Sequence, residues 1–526
     1  MNRDPNRDLN RDDLLAAARA VDRRAFITGI VGVAGLAGVA ACSAVTGGSS
    51  PSGSSLSQSG VSGLELKPTA DWFLHSGRIA PAALISGFSG RASIMPGEPV
   101  PLFVSTTAQT WFAQVYRIGD YAGLGGALVT QAGPFPGKSQ PPARSDSVTR
   151  MMYAPWIKSA ELDSSGWPPG QYLIHVTTNG KSAYVPLTVR SPDSAGKLAV
   201  INSATTLAAY NIWGGRNLYG NDAKTFDARS YAVSLDRPIS PLWVDFLMSY
   251  EIPLARAAES AGVPLAWMSN IDISLQPDLL TNARGVISPG HDEYWPLPYR
   301  KALLSLRDAG GNLAFTGANA GYWRVRLADS ENGPGRQVIC YKSASLDPKH
   351  DAPDTTARWR DAPDPKPENQ VTGQLYDSFP VDGPMKISDP DFFLFDGTGV
   401  REGDTFAHLV GDEIDRYYPN ANAPHPIQLP AVSPVTCRGK NTWSTVAYYT
   451  QPSGAGVFAT GTMNWTRSLP RPSHGLEFTD RLRGFVSTVT KNLVTAMAAG
   501  PMGSDHVARD NADEAHLPDH NTSGAA

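Results

Sequence analysis

The segment Gly285-Val286-Ile287-Ser288 decides the fold of this chain. It is a short apolar run that ends in polar residues, and Asn312-Leu313-Ala314-Phe315-Thr316 follows the same pattern. Such runs are typical of strands buried on both faces of a parallel sheet. Residues 299–309, between the two runs, carry leucines at helical spacing. This strand–helix–strand order predicts a parallel α/β sheet, with sites at the carboxyl ends of its strands.

The same pattern extends in both directions from this unit. Apolar runs at 198–202, 264–268 and 457–460 predict further strands, and residues 481–498 predict a closing helix. We therefore expect an α/β domain over residues 197–499. Its proline-rich part, residues 343–430, predicts irregular insertions over the sheet edge, and the polar residues 500–526 predict a disordered tail.

The preceding part of the chain has a different character. Residues 64–190 contain short β-rich runs, such as 101–106 and 171–176, bounded by turn residues. The 50 glycines and 43 prolines of the chain favour a turn-rich fold. The predicted fold class is therefore α/β plus all-β, with an N-terminal antiparallel β-sandwich at 64–190 followed by the α/β domain.

The N-terminus predicts export. Asp22-Arg23-Arg24-Ala25-Phe26-Ile27 resembles a twin-arginine signal, and the apolar run 27–41 is shorter than the roughly 20 residues that span a bilayer. Val39-Ala40-Ala41-Cys42 resembles a lipobox. We expect a signal at 1–42, lipid attachment at Cys42, a Gly/Ser-rich tether at 43–63, and anchoring to the extracytoplasmic face of the cell membrane. A membrane-buried signal anchor is the alternative.

Composition excludes several classes. A formal net charge of −4 leaves no basic footprint for nucleic acid. The chain has no Gly-x-Ser-x-Gly or His-Glu-x-x-His motif, and residues 133–139 miss a phosphate-binding loop by one residue and contain prolines. After lipidation two cysteines remain, Cys340 and Cys437, which can pair outside the cell but form no disulfide framework.

Two polar motifs follow neighbouring predicted strands. The first is Gly290-His291-Asp292-Glu293-Tyr294-Trp295, and the second is Gly317-Ala318-Asn319-Ala320-Gly321-Tyr322-Trp323-Arg324. Groups that move protons or ligate metals therefore meet where α/β proteins place their sites. The alternative is that the tyrosines only pack with the tryptophans beneath a loop.

These motifs resemble those of the large (beta) subunit of N,N-dimethylformamidase and its relatives. The similarity covers nearly everything between tether and tail. The segments that carry it are 85–88, 96–98, 205–215, 234–238, 290–295, 317–326, 340–342, 397–399, 411–413 and 461–465.

The resemblance implies an α/β domain of amidotransferase-like (flavodoxin-like) topology behind a β-sandwich, and a mononuclear ferric iron held by two tyrosines and one glutamate. By order and spacing, the tyrosines would be Tyr294 and Tyr322. The glutamate would be Glu413, with Glu293 and Glu402 as rivals. Phenolate and carboxylate are hard donors that suit ferric iron.

The implied function is hydrolysis of a C–N bond in a small amide. His291 or Glu293 would move the proton of an iron-activated water, and Asn319 would donate to the developing oxyanion. A structural role is the alternative for His291, as is a loop or helix cap for Asn319. The family implies a small partner subunit, and a homo-oligomer is also open. The competing functions are a binding lipoprotein that holds a carbohydrate or envelope fragment in the α/β cleft, and an envelope scaffold.

Overall fold

The computed structural model describes residues 64–223, 225–470, 478–515 and 517. It shows a mixed α/β protein with several sheets and few helices. The predicted signal, lipidated Cys42 and tether lie outside the described residues. Within the described ranges, no helix is both long and apolar enough to cross a membrane.

Residues 67–189 form two main sheets. The strands of this region are β1 (Lys67–Pro68), β2 (Ile85–Ser89), β3 (Ser93–Ile94), β4 (Val100–Thr106), β5 (Thr110–Ile118), β6 (Gly126–Pro136), β7 (Arg144–Ser145), β8 (Met152–Tyr153), β9 (Ala160–Leu162), β10 (Gly170–Thr178) and β11 (Lys181–Val189). The larger sheet has the order β1-β6-β5-β10-β11-β3 and is antiparallel except for the β11–β3 pair. The smaller sheet has the order β2-β4-β9 and is antiparallel. Both sheets contribute to one apolar core, which includes Val104, Trp111 and Ile174.

Residues 198–459 are built around a seven-stranded sheet. The strands are β12 (Leu198–Asn202), β13 (Arg216–Asn217), β14 (Gly220–Asn221), β15 (Ala232–Ser234), β16 (Leu265–Ser269), β17 (Gly285–Ser288), β18 (Tyr294–Pro296), β19 (Asn312–Phe315), β20 (Trp323–Ser330), β21 (Gly333–Ile339), β22 (Leu375–Lys386), β23 (Thr405–Arg416), β24 (Ile427–Cys437), β25 (Lys440–Thr450) and β26 (Gly456–Ala459). The large sheet has the order β16-β12-β17-β19-β26-β25-β24. Its first five strands are parallel, and β25 and β24 are antiparallel.

Helices cover both faces of this sheet. The α-helices are α1 (Ala204–Tyr210), α2 (Pro241–Phe246), α3 (Ile252–Ser260), α4 (Asn270–Leu275), α5 (Leu297–Asp308), α6 (Asn369–Thr372), α7 (Asn464–Ser468), α8 (Asp480–Ala499) and α9 (Met502–Asp505), with a π-helical turn at Leu247–Glu251. Successive residues of a strand point to opposite faces. Accordingly, Val200 packs in one core with α3 and α8, and Ile201 packs in another core with α5.

Several predictions are confirmed and others need correction. The strands and helices predicted for 198–202, 264–268, 285–288, 299–309, 312–316, 457–460 and 481–498 are present within two residues of their bounds. The assignment to a sandwich followed by a flavodoxin-like domain stays a prediction. Cys340 and Cys437 are both free.

Two segments predicted to be irregular contain ordered structure. Residues 343–430 contain the long hairpin β22–β23, whose register shifts accommodate the turn residues that had indicated a loop. The start of the predicted disordered tail is ordered, since α9 forms there and the Asn511 side chain accepts a hydrogen bond from the Leu429 amide at 2.7 Å. Both segments are polar, so their local sequence does not indicate the tertiary contacts that order them.

The parallel strands place one group of polar residues together. Helix α1 follows β12, the His291 segment follows β17, and the Asn319 segment follows β19. These strands are neighbours in the sheet, so their carboxyl ends meet at one edge. Strand β23 adds Glu413 from the hairpin.

Candidate active site

The centre of the site is the buried carboxylate of Glu293, which is 2% exposed. Tyr210 donates to its Oε2 at 2.7 Å, and Tyr219 donates to its Oε1 at 2.6 Å. The two phenol oxygens lie 2.9 Å apart. Each phenol has one hydrogen, and the carboxylate accepts both. The site therefore brings oxygens from three side chains into mutual contact.

Each of these side chains is positioned by local structure. Tyr210 is the last residue of α1, and Tyr219 lies in the turn between β13 and β14. The amide of Glu293 donates to the Thr206 hydroxyl at 3.0 Å, and its carbonyl accepts from the Trp323 amide at 2.9 Å. The backbone that carries the Glu293 carboxylate is thus fixed from both sides.

A close approach of two loops brings the motifs together. A Cβ added to Gly317 would lie 1.9 Å from the carbonyl oxygen of Gly290. Any larger residue at 317 would separate the β17 loop from the β19 loop. Gly317 is therefore required for the His291 and Asn319 segments to share one site.

His291 lies beside the Glu293 carboxylate, and the charge of Glu413 also acts on it. Its Nε2 is 3.2 Å from the Tyr210 hydroxyl oxygen and 3.4 Å from Glu293 Oε2. Burial alone would lower the pKa of His291, but Glu413 and Glu293 raise it to about 9. Burial acts to raise the pKa of Glu293, yet His291 and Lys342 outweigh it and hold that pKa below its ordinary value. The two carboxylates therefore favour the cationic form of the imidazole.

Glu413 forms a second acidic position in the site. Its Oε2 accepts a hydrogen bond from Asn319 Nδ2 at 2.7 Å, and the Asn319 amide donates to Asp415 Oδ1 at 2.8 Å. Asn319 has φ of +59°, a conformation that asparagine tolerates well. Burial raises the pKa of Glu413 to about 7, against the opposing effect of His291. Glu413 can therefore exchange a proton near neutral pH.

Lys342 is buried among aromatic rings beside the tyrosines. Its Nζ donates to the Tyr294 hydroxyl at 2.6 Å and lies 3.8 Å from the Tyr219 ring centroid and 4.1 Å from that of Trp323. Burial lowers the pKa of Lys342 to about 8, although Glu293 opposes the shift. This ammonium group balances the charge of the central carboxylate.

Tyr294 lies against Tyr210 and Tyr219, with ring centroids 6.4 and 6.5 Å apart, and the three metal ligands predicted from the sequence differ in their other contacts. Tyr294 accepts from Lys342, Glu413 accepts from Asn319, and the Tyr322 ring packs against Tyr376 at 5.2 Å. Burial raises the pKa of Tyr322, and Arg360 and Arg358 oppose the rise. No hydrogen bond joins any two of the three among the described contacts, so this ligand set stays a prediction. Glu402, the other rival, is exposed in a turn.

A different donor set is assembled. Among the described residues, no group of three or more His, Cys, Asp and Glu side chains could hold a metal ion. Tyr210 and Tyr219 place phenol oxygens, which are also possible metal donors, next to Glu293. The observed separations of 2.6–2.9 Å are those of hydrogen bonds, which bring the two phenols and the carboxylate together.

Sequence reasoning found part of this site. His291, Glu293 and Asn319, predicted as catalytic residues, are all present in it. Tyr210, Tyr219 and Asp415 were not singled out. One sequence pattern could have indicated Tyr210 as a site residue, because it follows the predicted strand 198–202 as His291 follows the strand 285–288. Tyr219 had no such pattern, since its hairpin is short and irregular.

The fold and the site define an α/β protein with a buried acid–base centre at the carboxyl edge of a largely parallel sheet. Residues 112–477 of the 526-residue chain match the family described as N,N-dimethylformamidase beta subunit-like, C-terminal, and the chain belongs to that family. No curated protein matches the chain.

Proposed function

We propose that this protein is an exported, iron-dependent hydrolase of C–N bonds in small amides. The observation that carries the proposal is the convergence of Tyr210 and Tyr219 on the buried carboxylate of Glu293, with Glu413 and His291 beside it. Family membership supports a dimethylformamidase-like reaction. The twin-arginine and lipobox motifs support an extracytoplasmic location.

Tyr210, Tyr219 and Glu293 are the residues that would hold the iron. Once deprotonated, the phenols would complete the set of two tyrosines and one glutamate that the family implies, and phenolate and carboxylate oxygens suit ferric iron. The Asn319 side-chain oxygen supports a polar occupant, because it is buried without a hydrogen-bond partner. When bound, ferric iron polarises an amide carbonyl and lowers the pKa of water.

The neighbouring residues supply the proton transfers. Glu413, with a pKa of about 7, accepts a proton from the attacking water and delivers it to the leaving nitrogen. The water oxygen forms a bond to the carbonyl carbon and the C–N bond breaks, giving a carboxylic acid and an amine. Asn319 fixes the Glu413 carboxylate through its 2.7 Å hydrogen bond. His291 carries a positive charge that stabilises negative charge developing on the substrate.

The burial of the site residues and the aromatic rings beside them indicate the size of the substrate. His291 and Glu293 are almost fully buried, whereas Tyr210, Tyr219 and Glu413 are partly exposed. Phe246 packs at 4.8 Å from the Tyr210 ring and 5.6 Å from His291. These aromatic rings beside the buried carboxylate favour a small amide with apolar substituents on its nitrogen.

The test combines metal content, visible spectrum and turnover. We expect the full-length chain to contain about one iron, to show a tyrosinate-to-iron visible band, and to release amine from a panel of formamides and acetamides. Glu413→Gln should keep the iron and the band but lose about 10²–10⁴-fold in kcat, the contribution of one acid–base group. A colourless, metal-free, folded protein would refute the proposal and favour the binding lipoprotein. A Glu413→Gln variant with full activity would refute the role of Glu413.

A further inference from the structure

The two tyrosines of the site are joined by a short segment, residues 211–218, that is tied down by a buried asparagine. We propose that Asn217 is a positioning residue that sets the placement of Tyr219 relative to Tyr210. The inference rests on the proposed iron site and adds to it a residue that touches neither metal nor substrate.

Asn217 connects the backbones of both tyrosines. Its Nδ2 donates to the carbonyl oxygen of Tyr210 at 3.0 Å. Its Oδ1 accepts from the amides of Tyr219 at 2.8 Å and Gly220 at 3.1 Å. The side chain is 6% exposed, so water does not readily replace these bonds. One amide group thus fixes the last residue of α1 against the turn that carries the second phenol.

Arg237 provides a fixed frame around this bridge. Its guanidinium is 1% exposed and donates to the carbonyl oxygens of Ala208, Trp213, Arg216 and Ser234 at 3.0–3.4 Å. These carbonyls belong to α1, to the connecting segment and to β15. Since the segment is held at several points, loss of the Asn217 bridge changes the spacing of the tyrosines without releasing the whole segment.

The spacing matters because the phenol oxygens are only 2.9 Å apart. Groups that orient metal ligands typically contribute about 10- to 100-fold to metal affinity or activity. Asn217 acts on two of the three proposed ligands through their main chains. We therefore expect its removal to alter the metal site more than it alters the rest of the fold.

The experiment compares Asn217→Ala with a matched control, Asn312→Ala. Asn312 is also a buried asparagine that bridges backbone groups, donating to the Gly500 carbonyl oxygen at 2.6 Å and accepting from the Gly456 amide at 3.1 Å. Its partners lie in β26 and near the end of α8. Iron affinity is measured by titrating iron into the full-length, metal-stripped variants against a competing chelator, and the visible band and melting temperature are recorded.

We expect Asn217→Ala to bind iron about 10- to 100-fold more weakly and to shift the band. Asn312→Ala should lower the melting temperature but leave affinity and band unchanged. Asn217→Asp keeps the acceptor for the Tyr219 amide and loses the donor to the Tyr210 carbonyl, so it should change iron affinity and the visible band by an intermediate amount. If the alanine variant does not fold, the aspartate variant tests the inference in its place. Wild-type affinity and band in a folded Asn217 variant would overturn the inference. An unmodified protein that binds no iron would instead overturn the proposed function.

Discussion

The substitution Tyr219→Phe separates the two ligand sets that sequence and structure suggest. It removes the phenol oxygen that lies 2.6 Å from Glu293 and 2.9 Å from that of Tyr210, and it leaves a ring of nearly the same size. In the metal-free protein, loss of a hydrogen bond to this buried carboxylate should lower the free energy of unfolding by about 1.5–3 kcal/mol. Loss of a metal ligand should weaken iron binding by more than the roughly 10- to 100-fold typical of residues that only orient ligands.

The matched control is Tyr322→Phe. Tyr322 is buried, at 7% exposure, whereas Tyr219 is partly exposed. The Tyr322 ring contacts Tyr376, and its pKa responds to Arg360 and Arg358. The assay is iron content after dialysis against a chelator, with the visible spectrum at equal protein concentration. We expect the band to be lost in Tyr219→Phe and kept in Tyr322→Phe. The reverse result would refute the reasoning from the structure and support Tyr322, predicted from the sequence, as the ligand.

Three further predictions concern other parts of the chain. Tyr294→Phe should keep the iron band but lower the free energy of unfolding in urea by about 1–3 kcal/mol, because buried Lys342 loses its hydrogen-bond acceptor. Loss of the band would instead identify Tyr294 as an iron ligand. Burial raises the pKa of Glu251 to about 8, so the folded state binds more protons than the unfolded state. The free energy of unfolding should therefore fall as pH rises from about 5 to 8, by up to about 1.4 kcal/mol per pH unit. Glu251→Gln should flatten this pH dependence in thermal unfolding, and an unchanged dependence would contradict the raised pKa of Glu251. If the protein is anchored as we propose, Cys42→Ala should move it from the membrane fraction to the soluble fraction. Unchanged membrane retention would contradict lipidation at Cys42.

Much of the α/β sheet could be predicted from the sequence because its strands are buried on both faces. Such strands are continuous apolar runs, as in Leu198–Asn202 and Gly285–Ser288, and they are visible without knowledge of their neighbours. The hairpin β22–β23 was missed because it contains turn residues and its register shifts in several places. The ordered segment after residue 500 was missed for a related reason, since it is held by specific contacts such as that of Asn511 and little by apolar periodicity.

The sequence by itself determined the parallel sheet, the edge at which the site lies, and the presence there of His291, Glu293 and Asn319. These follow from local patterns, because a strand and the polar residues after it are adjacent in the chain. Only the tertiary structure decided which oxygens meet. Tyr210 and Tyr219 lie 83 and 74 residues before Glu293, and they reach it through a helix end and a short hairpin turn. These contacts depend on packing between segments that are far apart in the chain, so no local sequence pattern indicates which side chains will touch.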